Sequence, residues 1–359
     1  MRSPDVAKSS ATSQENSTTN RITIRDVARE AGVSVATVSR VLAEKDVVRG
    51  VTRKRVQEAV ERLNFQINPH ARALAGGGSR TIGFLVRDVF GPSFASLARG
   101  VETEAADRGH LFLMSTTRGD ADREATLVAM MRVQGTAAVI LVGGVHLDEA
   151  YEDLLAHYAD TLGTSGSRLV LCGRPPLLGR PDVISVQYDN VAAGRLVTEH
   201  LVQLGHRRIL FVTADDQSTN QERLEGYRGA LTAAGIEPDD ELVLREPFSS
   251  TQGAERLVTE ALAAGIEFTA LVGVTGVVAI ASIRALRRAG LSVPGDISVT
   301  GINDEEIASD FDPGLTTVRI PFEEVGRITA ALALTQPLPD DVHRMLPVEL
   351  IVRGSTAKR

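Results

Sequence analysis

From Thr81 onward the chain alternates short apolar runs with amphipathic stretches, and this alternation restricts the fold more than any other feature. The runs are TIGFLV, HLFLMST, AAVILVGG, RLVLCG, RRILFVT, TALVGV and DISVTGI. Runs this continuously apolar are expected as buried strands of a parallel sheet, covered on both faces. Between most of them lie helical patterns, several ending at a glycine: Gly109, Gly205, Gly235, Gly265 and Gly290. Glycine closes a last helical turn because it adopts positive φ without steric cost. Strand–helix repetition predicts an open α/β architecture with right-handed crossovers. The number of units fits two such sheets, and ligands of such sheets bind beyond the carboxyl ends of the strands.

The first eighty residues have a different character. The chain has 359 residues and a net charge of −7. Between Arg21 and Ala75, however, eleven Lys or Arg stand against six Asp or Glu, a local net of +5. The first twenty residues are neutral, so the remainder carries −12. A small basic module on a large acidic body predicts polyanion contact through one end only. The segment 1–20, rich in Ser, Thr, Asn and Gln, is expected to be a disordered tail. It has no apolar core of a secretory signal, and no run of about 18 apolar residues follows to span a membrane. The one cysteine, Cys172, has no partner for an internal disulfide, which predicts a reducing, cytoplasmic setting.

Within the basic module, Thr23 is placed to cap a helix with Asp26 three residues on. Ile24, Val27, Ala28 and Ala31 then form one apolar face at helical spacing. Gly32 ends that helix, and Ser34 caps a second whose inner face is Val38, Val41 and Leu42. A third helix is expected from about Thr52 to Leu63, burying Val56, Ala59, Val60 and Leu63. Two short helices joined by a glycine turn and backed by a third form a helix-turn-helix. A generic three-helix bundle would fit the same pattern, but the basic charge and the second helix favour DNA.

That second helix, VATVSRVL, carries only small hydroxyl-bearing and apolar residues and one arginine. Its N-terminal part would meet base edges in the major groove. There Val35 and Ala36 would pack on thymine methyl groups, and Thr37 and Ser39 would hydrogen-bond bases or phosphates. Arg40 would reach a guanine through two parallel hydrogen bonds, or else contact phosphate without reading sequence. With the two cap residues Thr23 and Ser34, these make the DNA-contacting set expected from the first two helices.

A resemblance extends over nearly everything after residue 20, in order. ITIRDVAREAGVSVATVSRVL, TRKRVQEAVERLNFQINPHARALA, RTIGFLV, DNVAAGRLVTEHLVQLGHRRILFV, RLEGYRGAL, VPGDISVTGIND, GLTTVRIP and LPVELIVRGST together resemble the LacI/GalR family of bacterial transcription regulators. The resemblance implies a helix-turn-helix DNA-binding domain at 21–65 and a hinge helix and linker at 66–80. It implies a periplasmic-binding-protein-like sensor at 81–359, with two interleaved α/β subdomains and a ligand cleft between them. It further implies a homodimer on a near-palindromic operator. In the hinge, Leu74 would wedge between base pairs in the minor groove, as an apolar side chain can. Asn68 and Arg72 would contact DNA beside it. Two positions depart from the family pattern: Ala43 replaces a usual Asn, and Arg49 replaces a usual Ser. The second change would add a charged phosphate ligand and raise salt sensitivity.

For the cleft, the resemblance assigns effector contacts to Phe94, Arg223, Thr275, Asn303 and Asp304. Gly91 stands where Asn is usual, and Thr275-Gly276 where relatives commonly carry Asn-Asp. Asn303-Asp304 replaces the usual Asp-Asp. With an acidic acceptor missing at Gly276 and one neutral at Asn303, a phosphorylated or carboxylated metabolite, or no small effector, is expected over a neutral sugar. The alternative is that neighbouring loops supply the lost acceptors.

No GxGxxG, Walker loop or HExxH occurs, and GTSGS at 163–167 is expected to be a loop without the spacing of a nucleophile elbow. The histidines are dispersed, and His200 and His206 are expected to be structural. No cofactor, metal or catalytic residue is expected. Besides a DNA-binding repressor, two other readings fit parts of the pattern. A sugar-binding transport-type protein is opposed by the basic helical head and the missing signal peptide, and an open α/β enzyme by the missing catalytic constellations.

Overall fold

The computed structural model describes residues 22–42, 48–65, 81–89, 91–214, 216–245 and 250–359. The chain divides into two compact units, one within 1–78 and one within 79–359. Ala43, Asn68, Arg72 and Leu74 lie outside the described residues, so the hinge expectations are not addressed by it.

The first unit holds α1 (Ile24–Ala31), α2 (Val35–Leu42) and α3 (Gly50–Arg62). Their core is Val27, Ala28, Ala31, Val38, Val41, Val56 and Ala59. Val60 and Leu63, expected inside, are only half-buried at the end of α3. Gly32 closes α1 at φ 63°, and a Cβ there would press on the Arg55 guanidinium. That guanidinium donates to the Ala31 carbonyl at 2.6 Å, so α3 supplies a cation to the negative end of α1.

The second unit holds twelve strands among its described residues: β1 (Thr81–Val86), β2 (Leu111–Thr116), β3 (Ala138–Val142), β4 (Arg168–Cys172), β5 (Ile184–Tyr188), β6 (Ile209–Thr213), β7 (Val243–Arg245), β8 (Ala270–Gly273), β9 (Ser298–Asn303), β10 (Thr316–Arg319), β11 (His343–Leu346) and β12 (Glu349–Ile351). Its helices are α4 (Pro92–Asp107), α5 (Ala121–Val133), α6 (Glu149–Thr164), α7 (Asn190–Gln203), α8 (Ser218–Ala233), α9 (Thr251–Ala263), α10 (Gly276–Arg288), α11 (Ile307–Asp310) and α12 (Phe322–Leu334). Two six-stranded sheets form, in the orders β2-β1-β3-β4-β5-β11 and β7-β6-β8-β9-β10-β12. The chain therefore crosses between lobes three times: after β5, after β10 and after β11.

All seven apolar runs became strands, and the five stop glycines all have positive φ. Two expectations needed correction. Strand β2 is an edge strand, not a buried one: Leu111 is 72% exposed and Leu113 and Met114 are exposed beside it. The sheets are not wholly parallel either, since β12 runs antiparallel to β10. In GTSGS, Gly163 and Thr164 finish α6, and the turn begins at Ser165.

A pair of glycines brings helices together in each lobe. In the first, Gly100 of α4 faces the backbone of α12 at Glu323, and Gly326 of α12 faces Leu97. In the second, Gly194 of α7 faces the Arg223 carbonyl of α8, and Gly226 of α8 faces the Val191 carbonyl. A Cβ at any of these positions would overlap a backbone oxygen. The second crossing sets the height of Arg223 above its sheet. At the far end of that lobe, His206 contacts Thr269 (2.9 Å), Ser298 (3.0 Å) and the Ala357 carbonyl (3.1 Å), and His200 contacts Thr356 (2.9 Å). Both histidines fasten the C-terminal segment, a structural role.

Candidate functional site

In the helical unit the surface of α2 follows from its apolar spacing. With Val38 and Val41 turned inward, Val35, Ala36 and Arg40 face solvent and Ser39 is half-buried. Val35 is 40% exposed, a β-branched apolar side chain left uncovered at the first residue of the helix. Ser34 caps the helix by accepting the Thr37 N–H at 3.1 Å, and the two hydroxyls lie 2.8 Å apart. One hydroxyl proton is taken up between them and the other stays free to donate. Thr23 differs. Its N–H and hydroxyl both donate to Asp26 Oδ2, at 2.9 and 2.7 Å, and these bonds hold the Asp26 carboxyl below its usual range. Its one hydroxyl proton thus serves the cap, which leaves it no donor for a phosphate. Arg40 and Arg49 are exposed and make no hydrogen bond or ion pair among the described residues, in contrast to Arg62, which pairs with Glu30 at 2.8 Å.

In the second unit, the carboxyl ends of the strands converge on Arg223, which is 2% exposed. Its Nε donates to Asn190 Oδ1 (2.9 Å), Nη1 to the Val274 carbonyl (2.7 Å) and Nη2 to Asn303 Oδ1 (3.0 Å). Asn190 donates in turn to Glu222 at 2.9 Å. Asn303 Nδ2 donates to Ser93 Oγ and to Glu305 Oε1, each at 3.0 Å. Ser93 belongs to the other lobe, so this network joins the lobes. A second bridge runs from Ser218 N–H to the Val145 carbonyl at 2.8 Å. Burial holds the Arg223 guanidinium below its usual range and pushes the carboxyls of Glu222 and Glu305 up. Burial also pushes the nearby Tyr188 phenol to about 12, although Arg223 pulls the other way.

Three of the five expected effector residues keep a place consistent with that role. Arg223 and Asn303 are joined directly, and Phe94 is half-buried at the start of α4. Thr275 is partly occupied, since its Oγ1 accepts the Val278 N–H at 3.2 Å as the N-cap of α10. Asp304 is a correction. Its Oδ2 takes Arg319 Nε at 2.9 Å and its Oδ1 takes Arg353 Nη1 at 2.7 Å. It ties β9 to β10 and to the C-terminal segment rather than facing the network.

The carboxylate of this loop that does join the network is Glu305, one residue on. With it, Ser93, Asn190 and Glu222 had escaped the sequence reading. The available signals were the acidic run Asp304-Glu305-Glu306 and the Asn of DNVAAG. Both unusual glycines are accounted for by such neighbours. A Cβ on Gly91 would stand 2.9 Å from the Phe94 ring, and one on Gly276 would overlap Glu305 Oε2. Position 276 itself carries no carboxylate, as expected, but the alternative of a neighbouring loop describes the geometry: the Glu305 carboxylate arrives from the β9–α11 loop. Among the described residues no cluster of His, Cys, Asp or Glu could hold a metal, and no helix is long and apolar enough to cross a membrane.

Comparison with known proteins agrees with both halves of this description. Residues 23–68 match the model of bacterial regulatory proteins, lacI family, and residues 198–356 match that of the periplasmic binding protein-like domain. The transcriptional repressor PurR of Aliivibrio fischeri is 34% identical over 349 residues, 94% of this chain and 99% of its own length. The structure of the Lac repressor dimer bound to operator and an anti-inducer superposes with a TM-score of 0.80 at 28% identity, covering 94% of this chain and 100% of that one. The complex of the transcriptional regulator CelR with cellobiose gives 0.68 at 32% identity, covering 93% and 100%. The chain belongs to the lacI family of bacterial regulatory proteins, with a helix-turn-helix DNA-binding domain and a periplasmic-binding-protein-like domain of two lobes built on mostly parallel sheets.

Proposed function

We propose that this chain is a transcriptional repressor that binds a near-palindromic operator as a homodimer in the cytoplasm and changes its DNA affinity when a small molecule occupies the cleft around Arg223. The observation that carries the reading is the division of α2: its inner residues build the core while Val35, Ala36 and Arg40 are left exposed. One such helix reads few base pairs, and two related by a dyad double the readout. The uncovered apolar residues of edge strand β2 give a second copy a surface to bury. Support for an effector comes from the buried polar network between the lobes and from the likeness to a regulator held in complex with cellobiose. The reading assigns the chain no chemical step. A transport-type binding protein would have no use for the helical head.

The test is fluorescence anisotropy of the full chain on fragments of its own genome, followed by sedimentation of the complex. Two chains on one dyad-symmetric site, with affinity far above that for random DNA, are expected. One chain on a half-site, or equal affinity for all sequences, would overturn the reading.

A further inference from the structure

We propose that Glu305 is the acidic hydrogen-bond acceptor of the effector cleft, working through the space left by Gly276, and that the effector it selects is a neutral polyhydroxylated molecule rather than an anion. This inference rests on the effector reading above and adds the ligand class.

Four observations carry it. Glu305 is 8% exposed, and its Oε2 has no hydrogen-bond partner among the described residues. A buried carboxylate oxygen without a donor is costly, and a ligand hydroxyl would satisfy it. Oε1 is held by Asn303 at 3.0 Å, so the group is fixed with one oxygen committed and the other buried without a donor. Oε2 lies against Gly276, where any side chain would displace it; the glycine and the glutamate are thus one device. Finally, Arg223 already donates to Asn190, Val274 and Asn303, and its charge faces two carboxylates, Glu222 and Glu305. One committed cation against two carboxylates disfavours a phosphate or a carboxylate ligand. Hydroxyl groups, which both donate to Oε2 and accept from the remaining guanidinium protons, suit the site.

The experiment is a thermal-shift and calorimetric screen of the full chain. The probes are neutral mono- and disaccharides, their 6-phosphates and the corresponding uronates, with operator affinity as a second readout. A neutral sugar is expected to bind and to change operator affinity, with its phosphate and uronate weaker. Glu305→Gln should weaken that sugar by about tenfold to a hundredfold, the range for a lost charge-assisted hydrogen bond. Gly276→Ala should weaken it too, but add nothing in a Glu305→Ala background, where the group it displaces is gone. Glu305→Ala combined with Gly276→Asp should recover part of the binding, by returning a carboxylate from the other loop. Melting curves of the ligand-free variants check folding, and Gly276→Ala carries the test should Glu305→Gln not fold. A sugar bound equally by wild type and Glu305→Gln would overturn the assignment of Glu305 alone. A phosphate or uronate bound more tightly than its parent sugar would overturn the ligand class. No binding by any probe would overturn the effector reading and this inference with it.

Discussion

The two places where this chain would meet its partners are built on opposite terms. On α2 the side chains offered to DNA are exposed and largely without protein partners. In the cleft, Arg223, Asn190 and Asn303 are buried and already bonded to one another. The difference teaches where function and stability separate. An exposed arginine can be removed without disturbing the fold, whereas a buried one holds up the groups that surround it. Base reading can therefore change residue by residue, while the cleft must change in matched sets such as Gly276 with Glu305.

The sharpest way to break this contrast is Arg223→Ala. It would strip bonds from Asn190, Asn303 and the Val274 carbonyl at once. Removing one partner from a buried charged network costs about 3–5 kcal/mol. Urea titration of the full chain should show the large unit unfolding at lower denaturant; an unchanged midpoint would mean the network contributes little. Next in size is Gly226→Ala, whose Cβ would overlap the Val191 carbonyl. Overpacking of this kind costs about 1–3 kcal/mol, and α7 and α8 would separate, moving Arg223. Gly229, on the same helix with open space around it, is the control, and Gly229→Ala should be neutral or slightly stabilising in the same titration.

On the DNA side, Arg40→Ala should leave the melting temperature unchanged and weaken operator binding by about 1–3 kcal/mol, relaxing choice at one base pair per half-site. Equal loss on operator and random DNA would make Arg40 a phosphate contact. Arg49→Ala should instead weaken all sequences alike and flatten the salt dependence by about one unit.

The smallest expected effect is of pH. Burial holds the imidazoles of His206 and His200 below their ordinary value of 6.5. The unfolded chain then binds protons the folded one refuses. The stability these groups contribute is present above about pH 6.5 and declines as pH falls below it. Glu305 and Glu222, whose carboxyls burial pushes up, act in the other direction: their contribution is fully present below the ordinary carboxylate range and is lost as pH rises above that range through the raised values. Melting temperatures of wild type and His206→Gln between pH 5 and 8 should show a shallower acid decline in the variant.

Much of this was legible in the chain because it depends on near neighbours. Whether TIGFLV or TALVGV makes a strand, and whether Gly109 or Gly265 stops a helix, is settled within a few residues. The same holds for α2: once Val38 and Val41 must face inward, helical geometry leaves Val35, Ala36 and Arg40 outside. Short strands such as Val243–Arg245 and Glu349–Ile351 escaped because three residues carry too little periodicity to stand out. That β2 is exposed at an edge also escaped, since an apolar run looks alike at the centre and the rim of a sheet.

The sequence by itself determined the two kinds of unit and the exposed face of α2, because these follow from local periodicity, while the place of Arg223 between the lobes was legible only as what the resemblance to a family implies. Only the tertiary structure decided which carboxylate of that loop meets Asn303 and Gly276. The choice between Asp304 and Glu305 is made by Arg319 and Arg353, which arrive from 15 and 49 residues away to hold Asp304. It is also made by the left-handed backbone at Asn303 and Asp304, with φ of 100° and 52°, which carries the chain around so that Glu305 meets Gly276. Contacts between residues distant in sequence are set by packing and charge in three dimensions, and a missing side chain at Gly276 gains its meaning only from the group that occupies the space.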